Sequence, residues 1–141
     1  MKQTGPGILL ILALTGCDSN DISESIEMQV GTTQAVHLRT AAPGDWDRIC
    51  VLGPYSSDQA VRDALGFNWP AQSRSSIGES DGISLLLFIR EQEVVYSVEH
   101  PRDKGDFSQL SGRCFSPEQA QFVRRAGRAD DWPDLVPRNG A

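Results

Sequence analysis

Three cysteines and two histidines are the side chains in this sequence best suited to covalent or acid–base chemistry. Cys17 is the most informative of them because of what precedes it: Lys2, then an apolar run at 8–14, then Thr15 and Gly16. A basic start, an apolar run of this length and small residues at its end form the pattern of a secretory signal peptide. The run is too short to cross a bilayer as a helix, which needs about 20 apolar residues.

A cysteine directly after the small residues makes Leu14-Thr15-Gly16-Cys17 resemble the lipobox of bacterial lipoprotein precursors. This resemblance implies that the thiol of Cys17 is diacylated, that the signal peptide 1–16 is removed, and that the new amino terminus is open to acylation. The alternative is an ordinary signal peptide that ends near a cysteine. We expect a protein held on the extracytoplasmic side of a bacterial cell membrane by its acyl chains. Asp18 resembles the inner-membrane retention signal of enteric lipoproteins, although other bacteria use different sorting residues.

The body of the chain adds a second resemblance. The strings at 46–55 (WDRICVLGPY) and 81–88 (DGISLLLF) are similar to those of small bacterial lipoproteins without a characterised activity. That resemblance implies no substrate, cofactor or functional residue.

Cys50 and Cys114 remain once Cys17 is assigned to lipid. Two cysteines in an oxidising envelope compartment usually pair. Their bridge would close a loop of about 65 residues, for which the chain-entropy model gives a stabilisation of about 4 kcal/mol. The alternative is two buried free thiols that pack as small hydrophobic side chains. We predict the disulfide and no cofactor, because two cysteines and two distant histidines show no metal-ligand spacing.

The charge of the chain limits its partners. Lys2 is the only charged residue of the leader, so the mature chain keeps 12 basic and 19 acidic residues and a net charge of −7. Nucleic-acid binding needs a basic surface that displaces counterions, and this balance disfavours it. Adsorption to anionic lipid is disfavoured too, which leaves the acyl chains as the expected attachment.

Two further patterns suggest enzymatic or ligand chemistry. The segment 78–82 matches G-x-S-x-G, but a polar loop precedes it and an apolar strand follows, the reverse of the strand-to-helix elbow of a hydrolase. His100 lies two residues before Arg102 at a predicted strand end, where an imidazole and a guanidinium can bind a carboxylate or phosphate. The alternative is a strand end with solvated charges. His37 lies in a predicted strand and has no evident partner.

Aromatic residues surround the first predicted helix. Tyr55 and Trp69 are candidate contacts for a protein partner if they are exposed, because aromatic side chains are favoured interface anchors. Residues of this kind more often belong to the core.

The elements that must position these residues predict an α+β domain with an antiparallel sheet of four to five strands and two helices. We assign 1–16 to the signal peptide, 17–25 to the lipidated cysteine and a polar tether, 26–128 to one domain and 129–141 to a loosely ordered tail. Strands are expected at 26–30, 46–52, 83–89 and 94–99, the last two forming a hairpin, and 35–39 and 113–115 are weaker candidates for a further strand.

The two helices are predicted from their start and stop signals. Ser56 with Gln59 forms a capping box at the start of the first helix, and Gly66 ends it. Ser116, Pro117 and Gln119 favour the start of a second helix that ends at Gly127. The apolar positions of both segments follow helical spacing.

No catalytic constellation emerges from these residues, so the expected function is a non-catalytic envelope lipoprotein that binds another protein. One alternative is an inhibitor or immunity protein against a basic enzyme, since complementary charge speeds association. The other alternative is a small-ligand binder or enzyme that uses His100 and Arg102.

Overall fold

The structure, a computed structural model, describes residues 18–127 and 131–140. The predicted signal peptide and Cys17 lie outside these residues. The described chain is α+β and carries two antiparallel sheets. Its helices and strands, in chain order, are α1 (Ser19–Thr33), β1 (Ala35–His37), α2 (Leu38–Ala41), β2 (Arg48–Leu52), α3 (Asp58–Leu65), α4 (Ala71–Arg74), β3 (Ile83–Arg90), β4 (Glu93–Pro101), β5 (Cys114–Phe115), β6 (Gln121–Arg124) and β7 (Leu135–Pro137).

The larger sheet has the strand order β4-β3-β2-β5 and agrees closely with the predicted strands. β3 and β4 form the expected hairpin, in which Glu91 adopts a left-handed φ of 57° at the turn. β2 and β3 lie in the middle of the sheet, and nearly all their residues are buried, as expected for apolar runs covered on both faces. β4 ends at Pro101, which has no N–H to continue the ladder.

The smaller sheet has the strand order β1-β6-β7, and it was not predicted. The helix expected from Ser116 to Gly127 is wrong. Its capping box does form, with Ser116 N–H donating to Gln119 Oε1 and Gln119 N–H donating to Ser116 Oγ. The chain does not continue as a helix after this turn. Ala120 and Phe122 alternate into the core as in a strand, and β6 pairs with β1 on one side and with β7 on the other. Tertiary pairing outweighs the local helix signal here.

The tail predicted to be loose is also ordered in its described part. β7 pairs with β6, and the Leu135 side chain is fully buried. Leu135 N–H donates to the Asp106 carbonyl, which ties the tail to the loop after β4.

α1 overturns two predictions for the start of the domain. The expected strand at 26–30 and most of the expected tether at 17–25 belong to this helix. The residues on its inner face are Ile22, Ile26 and Val30, four apart as a helix requires, while Met28 is 70% exposed. Ile26 and Val30 are four residues apart, so both lie on one face in a helix as well as in a strand. Met28 would share that face only in a strand, and its exposure therefore identifies the helix.

α3 forms where the sequence predicts a helix, one residue later than the capping box suggested. Ser57, not Ser56, caps it by accepting a hydrogen bond from the Ala60 N–H. Ser56 instead donates to the Gly53 carbonyl at 2.6 Å. Gly66 ends the helix at φ 82°, the left-handed position that glycine adopts without strain.

The larger sheet separates two hydrophobic cores. One face packs against α1, α2 and the smaller sheet, and it contains Trp46, Phe88, Phe107, Phe115 and Phe122. The other face packs against α3 and α4 and is mainly aliphatic. The candidate residues of the sequence analysis are distributed over both faces.

Candidate functional site

The residue next to the predicted lipidation site is already part of the fold. The Asp18 side chain accepts a hydrogen bond from the Asp21 N–H at 2.9 Å and caps α1. Ser19 Oγ donates to the Ser97 carbonyl at 2.6 Å, which fastens the first turn of α1 to the edge of β4. Cys17 is therefore separated from the folded body by a single capping residue.

The disulfide predicted between Cys50 and Cys114 is confirmed. The two residues face each other across β2 and β5, with their Cα atoms 4.1 Å apart. Their sulfurs lie 3.9 and 3.3 Å from the Ala64 carbonyl oxygen, so the bridge also packs against the last turn of α3. Its role is structural, since it joins the short edge strand to the centre of the sheet.

His100 lies in the core instead of on a surface. Its side chain is fully buried beneath α1, and its ring packs edge-on against Phe107 with 5.9 Å between ring centroids. Burial lowers the pKa of His100 from 6.5 to about 4, and the Lys104 backbone and the carboxylates of Glu27 and Asp103 oppose this only in part. The neutral imidazole is therefore the form that the fold accommodates.

The partner of His100 is Ser23, which the sequence analysis did not identify. Ser23 Oγ lies 2.8 Å from His100 Nδ1, so the hydrogen bond joins the middle of α1 to β4. A serine beside a histidine is the pairing that a nucleophile and its base require. Here, however, Nε2 is buried without a hydrogen-bond partner, and a Cβ on Gly105 would lie 3.2 Å from it. Because the ring is enclosed, this pair fastens α1 and offers no access to a substrate.

Arg102 is fully engaged by groups of the protein. Its Nε and Nη2 form a bidentate pair with the two carboxylate oxygens of Asp106, both at 3.1 Å. Nη1 donates to the Asp81 carbonyl at 2.7 Å, and the guanidinium stacks over Trp132 at 4.9 Å. Burial alone would raise the pKa of Asp106, but the bonds from Arg102 and Ser108 outweigh it and hold this pKa below its ordinary value.

The structure therefore does not bring His100 and Arg102 together as a ligand site. His100 contacts α1 through Ser23. Arg102 links the Asp81 carbonyl, in the turn before β3, to the Asp106 carboxylate in the loop after β4. Neither side chain lines the polar cavity beside α1 that is described below. The local signal of a strand end was correct, but His100 is occupied by Ser23, 77 residues away, and Arg102 by Asp106 at i+4.

The serine of the G-x-S-x-G match has a local role. Ser80 Oγ accepts a hydrogen bond from the Gly82 N–H at 3.2 Å, which shapes the turn before β3. This is the geometry expected of a serine in a turn.

The two candidate aromatic contacts differ in exposure. Tyr55 is 62% exposed and held at a φ of 62°, with its N–H bonded to the Ile77 carbonyl. Trp69 is half-buried against the aliphatic core, and the Arg74 guanidinium lies 5.7 Å from its ring centroid. Tyr55 alone presents most of its ring to a partner.

A polar cavity of about 620 Å³ lies beside the first turn of α1, and the sequence analysis missed it. We call it the serine cleft. Its lining residues are almost all polar: Ser19, Asn20, Ser73, Arg74, Ser75, Ser76, Glu79, Ser97 and Glu99. They come from α1, from β4, and from α4 with the segment that follows it. The sequence signal was the group of serines at 73–76, which we assigned only to a polar loop.

Within residues 18–127 and 131–140, no three histidine, cysteine or acidic side chains are grouped to hold a metal ion. A search of the same residues finds no helix with the length and hydrophobicity to span a membrane. Comparison with models of protein families, with curated proteins and with solved structures finds no match.

Proposed function

We propose that this chain is a bacterial envelope lipoprotein, anchored by acyl chains on Cys17, whose folded body is a non-catalytic module that binds another protein. The observation that carries the proposal is that the folded body begins directly after the lipobox, without a tether. Asp18 caps α1 and Ser19 contacts β4, so a lipid on Cys17 would hold the body directly at the membrane.

The contacts of the candidate catalytic groups support a non-catalytic role. His100 and Ser23 hydrogen-bond to each other inside the core, and Arg102 is paired with Asp106. A general base must reach a proton on a substrate, which an enclosed imidazole does not do. The side chains of Ser23, His100 and Arg102 are therefore used for contacts within the fold.

An exposed aromatic ring supports a protein partner. Tyr55 is the most exposed aromatic side chain among the described residues, and its backbone is fixed by the bond to Ile77. A rigidly held tyrosine loses little conformational entropy when it becomes buried, which makes it an effective anchor.

The acidic charge favours one class of partner as a second candidate function. A net charge of −7 on the mature chain speeds association with a basic protein. An inhibitor or immunity protein against a basic envelope enzyme would use this steering, and the partner recovered in the experiment below identifies it.

The anchor is tested with Cys17→Ser, expressed in a bacterium that processes lipoproteins. Serine lacks the nucleophilic sulfur that accepts a diacylglyceryl group. We expect intact mass spectrometry to detect lipid on the wild type and none on the variant, which should be released or stall as a precursor. Cys114→Ser breaks the disulfide of the body and should keep the lipid. Wild-type protein without lipid on Cys17 would contradict the proposal.

The binding face is tested by placing a photo-crosslinking amino acid at Tyr55 or, as a control, at the exposed Met28 on α1. We expect one discrete adduct from position 55 in intact cells and none from position 28. Equal adducts from both positions, or none from position 55, would contradict a binding face at Tyr55.

A further inference from the structure

The serine cleft is rich in hydrogen-bond acceptors. Four of its five serine hydroxyls donate their protons to acceptors of the protein itself: Ser19 to the Ser97 carbonyl, Ser73 to the Pro70 carbonyl, Ser75 to the Ala71 carbonyl and Ser76 to Glu99 Oε1. A hydroxyl that has donated its proton retains lone pairs that accept. The cleft thus favours a ligand group that carries N–H or O–H donors.

Charges of both signs line the same cleft. The Glu79 carboxylate has no hydrogen-bond or ion-pair partner among the described residues, and Glu99 uses only Oε1 to accept from the Ser76 N–H and hydroxyl. Arg74 stacks on Trp69 and forms no ion pair with Glu79 or Glu99 within the described chain. The carboxylates of Glu79 and Glu99 and the guanidinium of Arg74 are therefore each available to a ligand that carries both a positive and a negative charge.

Backbone donors add to the positive side. The first N–H groups of an α-helix have no partner within the helix and favour a phosphate. In α1 the Asp18 side chain accepts from Asp21, and Ser19 and Asn20, the first two residues of the helix, line the cleft.

We propose that the serine cleft binds a phosphoethanolamine group, the zwitterionic headgroup of a membrane phospholipid. The primary ammonium contacts Glu79, Glu99 and the serine oxygens, and the phosphate contacts Arg74 and the start of α1. A primary ammonium is favoured over a quaternary one because it has three N–H donors. A quaternary ammonium prefers aromatic faces, and Arg74 already covers the ring of Trp69.

The source of the ligand rests on the proposed membrane anchor. Asn20 is the third residue after Cys17, and three residue steps at full extension span at most about 11 Å. The headgroup region on each side of a bilayer is about 5–8 Å thick. A body attached through Cys17 therefore holds the cleft at the depth of the headgroups, and binding there orients the body on the surface.

The experiment uses the full chain with Cys17→Ser in a maltoside detergent, so that it does not depend on lipidation. Isothermal titration and amide chemical shifts would compare glycerophosphoethanolamine, glycerophosphocholine and inorganic phosphate. We expect glycerophosphoethanolamine to bind about three- to tenfold more tightly than the other two and to shift the amides of Ser76 and Glu99. Glu79→Gln should weaken it by a similar factor. Glu118→Gln should not weaken binding, because Glu118 is an exposed carboxylate that pairs with Arg39 and does not line the cleft.

Equal affinity for the three probes, or shifts confined to residues outside the cleft, would overturn the site. The lipid source is tested separately with the lipidated chain in nanodiscs of phosphatidylethanolamine or phosphatidylcholine. Chemical-shift changes at the cleft residues only in phosphatidylethanolamine nanodiscs would support the lipid headgroup as the ligand. Identical spectra in the two membranes would overturn the lipid source in favour of a soluble compound that carries a phosphate and an ammonium group. Because the soluble titration needs no acyl chain, its failure leaves the anchoring result at Cys17 unaffected.

Discussion

The two faces of the larger sheet are held by different kinds of interaction. On the α3 face, aliphatic side chains surround a covalent link between Cys50 and Cys114. On the α1 face, aromatic rings pack edge to face, and one of them, Phe107, contacts the buried His100. The rings of Phe107 and Phe115 each pack against Phe122, with centroids 5.5 and 5.1 Å away.

This difference separates sensitivity to redox conditions from sensitivity to acid. The disulfide holds β5 to the sheet at any pH, provided that it stays oxidised. The contact of α1 with β4 includes the Ser23–His100 hydrogen bond, and burial of the ring there favours the neutral imidazole. Each face can therefore be perturbed by a treatment that leaves the other one intact.

The largest effect is expected from the disulfide. A bridge between residues 64 apart restricts the unfolded chain, and its loss should cost about 4 kcal/mol of unfolding free energy. Cys50→Ala and Cys114→Ala should destabilise similarly, and the double variant should cost little more, because the crosslink can be lost only once. Chemical denaturation with and without reductant measures these values. Additive losses in the double variant would show that the two side chains act independently of their bond.

Acid should weaken the α1 face next. The folded pKa of His100 is about 4 and its ordinary value is 6.5, so the unfolded chain binds the extra proton between these limits. Stability is therefore complete above about pH 6.5 and should fall by about 3 kcal/mol as the pH drops towards 4. Asp106 adds a separate loss at lower pH, when its carboxylate, held at a lowered pKa by Arg102 and Ser108, becomes protonated.

Urea denaturation at several pH values measures this slope. His100→Leu should remove it between pH 6.5 and 4 although the variant is less stable at neutral pH. His37→Gln replaces the other histidine, which is only half-buried on β1, and should retain the slope. The same slope in His100→Leu as in the wild type would contradict the assignment of acid sensitivity to the α1 face.

A smaller effect is expected from the other end of the hydrogen bond. Ser23→Ala leaves the buried Nδ1 of His100 without its partner, and we expect a loss of about 1–2 kcal/mol in unfolding free energy. Ser25→Ala is the matched control on the same helix, because its hydroxyl only accepts a long bond of 3.4 Å from Gln29. Equal midpoints for the two variants in a thermal melt would remove Ser23 from the attachment of α1.

The sequence predicts the larger sheet well because its signals are local. The apolar run at 83–89 and the alternation that follows it decide β3 and β4 without help from distant residues. The disulfide follows from cysteine count and compartment, and the register of β2 and β5 then places both residues opposite each other.

The α1 face is predicted poorly because its elements are decided by distant partners. β6 carries a real capping box, yet β1 and β7 pair with it and make it a strand. The candidate site failed for the same reason at His100, whose partner Ser23 lies 77 residues away. Arg102 is instead occupied by a local partner, Asp106 at i+4, which the sequence analysis did not identify. The serine cleft again joins regions far apart in the chain: α1, β4, and α4 with the segment that follows it.

The order of strands in the smaller sheet sets when the molecule can fold. β1 lies near the start of the chain, and its partner β6 and the neighbouring β7 lie near the end. Contacts between such distant segments form late, since the intervening chain must be present before it can be closed into a loop. A chain emerging from a ribosome therefore leaves β1 without its partner strand until nearly its last residues appear. The smaller sheet is completed only after the larger one, because β2, β3, β4 and β5 all precede β6 and β7 in the chain.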